Sequence, residues 1–170
     1  MPSAPQTITP LEELVEEFFL CARYGEFDEI SAFPVDLIPS LVLKKDAFTG
    51  NTALMLASAN GHIEIVKLLL GWAINHDQVC LMVNLQNQTG STALHWAGLT
   101  GQVEVTDLLI KSGADANIKN SFGDRPFDEA IKRRAKPEIC ELLARATDFN
   151  NDAQFAPVEG GDLDAEEESS

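Results

Sequence analysis

Basic residues are scarce in this 170-residue chain, which has 12 Lys and Arg against 27 Asp and Glu and a formal net charge of −15 at pH 7. This imbalance argues against nonspecific binding to nucleic acid, because the phosphates of a polynucleotide would repel the chain. It is compatible with a basic protein as the partner. We therefore expect a protein partner and no direct nucleic-acid partner.

Long apolar runs and targeting signals are also lacking. No stretch approaches the roughly 20 apolar residues that a helix needs to cross a bilayer, and residues 1–10 contain neither a basic residue nor an apolar run. We expect no signal or transit peptide and no membrane contact. Three cysteines, Cys21, Cys80 and Cys140, lie far apart. Such a set is typical of reduced thiols, and we predict a cytoplasmic and nuclear location.

Sequence motifs of catalysis are missing as well. The chain has no Gly-rich phosphate loop, no Gly-x-Ser-x-Gly elbow and no His-Glu-x-x-His pair. His76 and Cys80 lie four residues apart and could hold a metal, but two ligands without a second pair nearby do not make a zinc site. We predict that the protein is not an enzyme and that it has no catalytic residues, no metal site and no cofactor.

One segment occurs twice, at residues 50–70 and 90–110, with no gap inside it. In each copy a threonine precedes an apolar run, where a helix N-cap is expected. Gly61 or Gly101 ends the first helix, and a second helix follows with apolar residues at i, i+3 and i+4. The repeat indicates a stacked array of antiparallel helix pairs, in which each unit needs its neighbours to bury a core.

Two degraded copies flank this pair, at residues 11–33 and 121–146. In the second of them Pro126 stands at the first helical turn, where its missing N–H is harmless, and Arg134 replaces the turn glycine. Polar outer faces on terminal units are typical of caps. We interpret residues 34–47 as a loop.

The repeated residues resemble those of the ankyrin-repeat family. Thr92–Ala97 reads Thr-Ala-Leu-His-Trp-Ala, close to the family's Thr-Pro-Leu-His-x-Ala box, and residues 113–117 match its Gly-Ala-Asp-x-Asn signature. The resemblance implies an all-α ankyrin-repeat solenoid of about four helix-pair repeats. The clear repeats are 48–80 and 88–120, and the degenerate caps are 11–33 and 121–146. Met55 replaces the box histidine in the first clear repeat, and seven extra residues follow that repeat, within Gly71 to Gln88.

The chain then divides into three parts, which are a flexible N-terminus at 1–10, the ankyrin-repeat domain at 11–147 and an acidic tail at 148–170. The tail has eight acidic residues and no Lys or Arg. Its low hydrophobicity and self-repulsion predict disorder. It is either a simply solvated segment or a flexible shield for basic partners.

The resemblance also implies a concave face made of hairpin tips and inner-helix ends. Carried over position by position, the candidate partner-binding residues are Tyr24, Phe48, Asn51, Asn60, Gln88, Ser91, Leu99, Thr100, Phe122 and Asp124. Aromatic anchors carry most of the energy of many interfaces, although Phe48 and Phe122 could instead fold back onto their own hairpins. His95 could be a general base, but in an ankyrin box we favour hydrogen bonds to the turn threonine and neighbouring backbone. His62, after the turn glycine, has a similar structural interpretation.

Within the family, the chain resembles the small fungal ankyrin-repeat chaperone of the universal S-three ribosomal protein of the small subunit. This likeness lies in the insertion between the middle repeats, in Asn-Ser-Phe-Gly at 120–123, in the degenerate last repeat and in the acidic tail. It implies a monomeric chaperone that binds and shields a basic small-subunit ribosomal protein before assembly into the pre-ribosome. The alternative is a signalling or transcriptional adaptor or inhibitor that binds a folded partner through the same concave face.

Overall fold

The computed structural model describes residues 10–74 and 78–152, and this part of the chain contains ten α-helices and no strand. The helices are α1 Pro10–Tyr24, α2 Phe27–Ser31, α3 Ile38–Leu41, α4 Ala53–Asn60, α5 Ile63–Ile74, α6 Val79–Val83, α7 Ala93–Thr100, α8 Val103–Lys111, α9 Pro126–Lys132 and α10 Pro137–Asp152. The predicted all-α class is confirmed.

Eight of the helices in the described residues form four pairs, namely α1–α2, α4–α5, α7–α8 and α9–α10. The first helices of the pairs form an inner layer in which α4 packs on α1 and α7, and α7 packs on α9. The second helices form an outer layer in which α5 packs on α2 and α8, and α8 packs on α10. The main contacts of each pair in the described chain are with the adjacent pairs, as expected for the predicted solenoid.

The core lies between the two layers and repeats from unit to unit. Phe18, Leu54 and Leu94 stand at the same place in α1, α4 and α7, seven residues before the turn glycine of each unit, and each is at most 1% exposed. Leu69, Leu109 and Leu143 of the outer helices are completely buried against them. The apolar residues spaced at i, i+3 and i+4 therefore lie on the core side of the outer helices.

A left-handed residue ends the inner helix of every pair. Gly25, Gly61 and Gly101 have φ angles of 85°, 75° and 81°, and Arg134 has a φ angle of 55°. Arg134 is the only non-glycine with positive φ among residues 10–74 and 78–152. In the last two turns the following N–H groups bond back in the same way, Gln102 N to Ala97 O at 3.0 Å and Ala135 N to Ala130 O at 2.9 Å.

The turn conformation predicts opposite effects for two substitutions. A Cβ atom disfavours the left-handed region, so we expect Arg134→Gly to raise the free energy of unfolding by about 0.5–1 kcal/mol and Gly101→Ala to lower it by about 1 kcal/mol. A Cβ on Gly101 would meet only Lys136 Cε, at 3.9 Å, so the cost is one of backbone conformation rather than of a clash. Urea unfolding measures the free energy of unfolding of both variants. Changes of the same sign would contradict a left-handed conformation at both Arg134 and Gly101.

Two short helices, α3 and α6, lie outside the four helix pairs. The prediction of a loop at 34–47 is wrong for α3, because Ile38 and Leu41 are buried where this helical turn packs on α5. The extra residues of the first clear repeat lie within the stretch from Gly71 to Gln88, which also holds the end of α5 and helix α6, whose Met82 and Val83 are buried. The added residues thus extend the core instead of forming an open loop.

The outer ends of the helical array differ slightly from the predicted domain bounds. Helix α1 begins at Pro10, and α10 continues to Asp152, so residues 148–152 of the predicted tail are helical. The sequence places no Gly or Pro between residues 138 and 156, and nothing local stops the helix at Thr147. Residues 1–9 of the N-terminal segment that we predict to be flexible, and the predicted tail from residue 153 onward, lie outside the described residues.

Candidate partner-binding face

Three hairpin tips, at residues 46–51, 87–91 and 120–124, precede α4, α7 and α9. Each is closed by an Asx side chain that accepts backbone N–H bonds from its own loop. Asn87 Oδ1 accepts from Thr89 N at 3.0 Å and Ser91 N at 2.9 Å, and Asn120 Oδ1 accepts from Phe122 N and Asp124 N, both at 3.0 Å. In the first tip the two carboxylate oxygens of Asp46 do the same. The tips are therefore internally braced.

The tips are also bonded to one another. Gln88 N donates to Thr49 O at 3.1 Å, and Ser121 N donates to Thr89 O at 2.8 Å. Asn87 Nδ2 donates to Asn51 Oδ1 at 2.7 Å between the first two tips. These bonds make one continuous edge of backbone loops, which holds the exposed side chains at fixed spacing.

The aromatic candidates on this edge and beside it are open to solvent. Phe48 is 88% exposed, Phe122 is 77% exposed, and Tyr24 at the end of α1 is 64% exposed. The alternative in which Phe48 and Phe122 fold back onto their own hairpins is therefore wrong. Exposed aromatic side chains on a rigid support are typical of protein-binding surfaces.

The polar candidates differ in what they can offer a partner. Asn60, Gln88 and Thr100 are exposed, although Asn60 Nδ2 and the Thr100 hydroxyl already donate to carbonyls of their own helices. Asn51, Leu99 and Asp124 are half-buried. Ser91 is only 7% exposed, because it closes the second hairpin, so it contributes to the shape of the tip more than to a contact surface.

Sequence reasoning missed a further row of residues on the inner helices. Leu20, Leu56, Trp96 and Glu129 all stand five residues before the left-handed turn residue. Leu20 is 48% exposed, Trp96 is half-buried and Leu56 is 9% exposed. Their equal distance from the turn was visible in the repeats, and it would have placed Leu20 and Trp96 among the candidates.

His95 has the structural role that we favoured. It is 1% exposed, and its Nδ1 accepts from Thr92 N at 3.1 Å, with the Thr92 hydroxyl 2.9 Å from the same nitrogen. Because Nδ1 accepts, the proton lies on Nε2, which donates to Asp124 O at 3.1 Å in the next hairpin. His95 thus caps α7 and connects two repeats. His62 makes a comparable link, since its Nε2 lies 2.8 Å from Arg23 O.

Burial lowers the pKa of His95, because desolvation disfavours the imidazolium form, although the carbonyl and carboxylate of Asp124 oppose the shift. The unfolded chain binds this proton near pH 6.5, so the stabilisation is complete above that pH. It is lost as the pH falls through the lower pKa of the folded state. Met55 holds the equivalent position in the first clear repeat. We expect that in His95→Met the urea midpoint, measured from pH 7.5 downward, falls less with decreasing pH than in the native chain. A variant as acid-sensitive as the native chain would contradict the assignment.

The cysteines and possible metal ligands give no second site. Cys21 is 2% exposed, and burial, with help from the nearby Glu26, raises the pKa of its thiol to about 11, so this cysteine is part of the core. Cys80 is exposed, and His76, its possible metal partner, lies outside the described residues. Within residues 10–74 and 78–152 no three His, Cys, Asp or Glu side chains cluster as metal ligands would, and no helix there is long and apolar enough to cross a membrane.

Comparison with known proteins agrees with this architecture. Residues 49–80 match the family model for the ankyrin repeat, and residues 79–154 match the family model described as Ankyrin repeats (3 copies). No curated protein matches the chain. Among solved structures it is similar to a chain of the crystal structure of the yeast ribosomal protein Rps3 in complex with its chaperone Yar1. The identity is 30% and the TM-score 0.65, and the match covers 86% of this chain and 97% of the other. The chain belongs to the ankyrin-repeat family and is a protein-binding module.

Proposed function

We propose that this protein is a dedicated chaperone that binds a basic small-subunit ribosomal protein and shields it before assembly into the pre-ribosome. The observation that carries this choice is the 30% identity to a chain of the Rps3 complex with its chaperone Yar1. The match covers 97% of that other chain. The geometry of the face and the charge of the chain are the physical support.

The face is preorganised for binding. Hydrogen bonds within and between the three hairpin tips fix the backbone that carries Phe48 and Phe122. A partner therefore orders little of this surface when it binds, and the affinity that the aromatic side chains supply is not reduced by loop ordering. A client that covers both the hairpin tips and the C-terminal ends of the inner helices would contact Phe48 and Phe122 at the tips and Tyr24 at the end of α1.

The charge of the repeats suits a basic client. Residues 10–33 carry seven acidic residues and one basic residue, and exposed members include Glu13, Glu16 and Glu17 on α1. An acidic surface of this kind attracts a basic protein and accelerates capture by about 10- to 1,000-fold at low salt. Ribosomal RNA competes for the same basic surface of the client, which provides a route for release.

We also propose that the protein acts as a monomer in the cytoplasm and nucleus. Cys21, Cys80 and Cys140 are free thiols, which suits a reducing compartment. A single acidic chain can cover one basic client in a 1:1 complex, and the negative charge disfavours self-association.

Capture from native cytosol tests the proposal. A tagged full-length chain should recover one basic small-subunit ribosomal protein in near-stoichiometric amount, and 0.5 M salt should remove most of it, since salt screens the attraction. The purified chain should also suppress light scattering when that ribosomal protein is mixed with RNA. Recovery of a kinase or transcription factor in place of a ribosomal protein would contradict the proposal and favour the adaptor.

A further inference from the structure

The turn between α9 and α10 carries three basic residues, of which Arg133 also attracts the half-buried carboxylate of Glu129. Arg133, Arg134 and Lys136, which we call the basic turn, are all exposed, and none forms an ion pair within residues 10–74 and 78–152. The neighbouring Lys132 is paired with Asp124 at 2.6 Å, so its charge is compensated.

The basic turn is peculiar to the last repeat. In the earlier repeats the left-handed turn residue and the residue after it are Gly25-Glu26, Gly61-His62 and Gly101-Gln102. These turns contain no Lys or Arg. The stem of Lys136 lies beside the preceding turn, with its Cε 3.9 Å from where a Cβ on Gly101 would be. Arg133 occupies the position of Thr100, so the basic turn continues the row of inner-helix ends in the candidate face.

The densest run of acidic residues in the sequence, which could attract the basic turn, follows α10. Residues 153–170 contain six acidic residues and no basic one, five of them within 162–168. Helix α10 starts at Pro137, beside the basic turn, and ends at Asp152, so its end is about 22 Å from its start at 1.5 Å per residue. A random coil as long as the 14 residues from Asp152 to Glu166 would have a root-mean-square span of about 20 Å. The acidic run can thus return to the basic turn without being stretched.

We propose that the acidic segment 162–168 binds the basic turn of its own chain. Tethering at this distance gives an effective concentration in the millimolar range, which favours the chain's own segment over a second copy or a free acidic peptide. The segment bound there would cover the α9 end of the candidate face and would compete with any partner that occupies that end. The inference does not depend on what the partner is.

NMR spectra of the full-length chain, labelled with nitrogen-15, test the proposal directly. In low salt the amide signals of residues 162–168 should differ from their positions in 0.5 M NaCl, where the attraction is screened. In the variant Arg133→Gln, Arg134→Gln, Lys136→Gln most of that difference should be lost. A matched variant, Lys44→Gln, Lys45→Gln, Lys119→Gln, removes equal charge from exposed lysines that form no ion pair within residues 10–74 and 78–152, and it should retain the difference.

Three outcomes would overturn the inference. The tail signals could be the same in the native chain and the basic-turn variant, or the matched variant could lose as much of the salt-dependent shift. The shift could also grow with protein concentration, which would assign the contact to a second copy. None of these measurements uses a client, so the chaperone proposal stands or falls separately.

Discussion

Replacing Phe48 and Phe122 together with alanine should weaken the binding of a basic small-subunit ribosomal protein by about 100- to 1,000-fold. A buried aromatic anchor contributes about 2 kcal/mol or more, and each 1.4 kcal/mol is a factor of ten in the dissociation constant, so two anchors account for roughly this loss. Both side chains are mostly exposed in the free protein. Their removal leaves no cavity, and the free energy of unfolding should change by less than about 0.5 kcal/mol.

A matched double variant separates this effect from a general loss of apolar surface. Val35 and Leu81 are 73% and 55% exposed, and they lie in segments that follow the outer helices α2 and α5. Val35→Ala with Leu81→Ala should leave the affinity within about threefold of the native value. Calorimetric titration measures the affinity of both double variants for the ribosomal protein. If both variants bind it equally weakly, the hairpin tips are not the binding site.

Leu94→Ala should lower the free energy of unfolding by about 3 kcal/mol, within the 2–5 kcal/mol usual for a buried leucine. Leu94 is completely buried in α7, the inner helix that packs between α4 and α9. Each repeat is stabilised by its neighbours, so a cavity in this central helix weakens two interfaces. The urea midpoint should fall accordingly.

Leu81→Ala is the control for that measurement, because it removes the same atoms from a side chain that is half exposed. We expect it to cost less than about 1 kcal/mol. If the two leucines cost the same, the seven-residue spacing from Leu94 to Gly101 would not mark the core as we assign it.

The repeated part of the fold could be predicted because its determinants are local. Thr52 and Thr92 stand at helix N-caps, and Gly61 and Gly101 end the inner helices with positive φ. The role of His95 followed from the same box. These features depend on backbone geometry within a few residues, which the two copies display side by side.

The remaining features depend on contacts between distant segments. Helix α3 forms because Ile38 and Leu41 are buried against α5, and no capping motif in the sequence marks it. The exposure of Phe48 and Phe122 could not be decided from the sequence, since a ring can pack on its own loop or stay open. The sequence alone could not show that Lys132 pairs with Asp124, eight residues away, whereas Arg133, Arg134 and Lys136 form no such pair among the described residues.

Hydrogen exchange of the full-length chain, alone and in complex with a basic small-subunit ribosomal protein, tests the central claim most directly. We expect a 1:1 complex in which exchange slows at the hairpin tips 46–51, 87–91 and 120–124 and at the ends of α4 and α7, while the outer helices α5 and α8 are unchanged. Protection confined to the outer helices, or no complex at physiological salt, would contradict a chaperone that holds its client on the concave face.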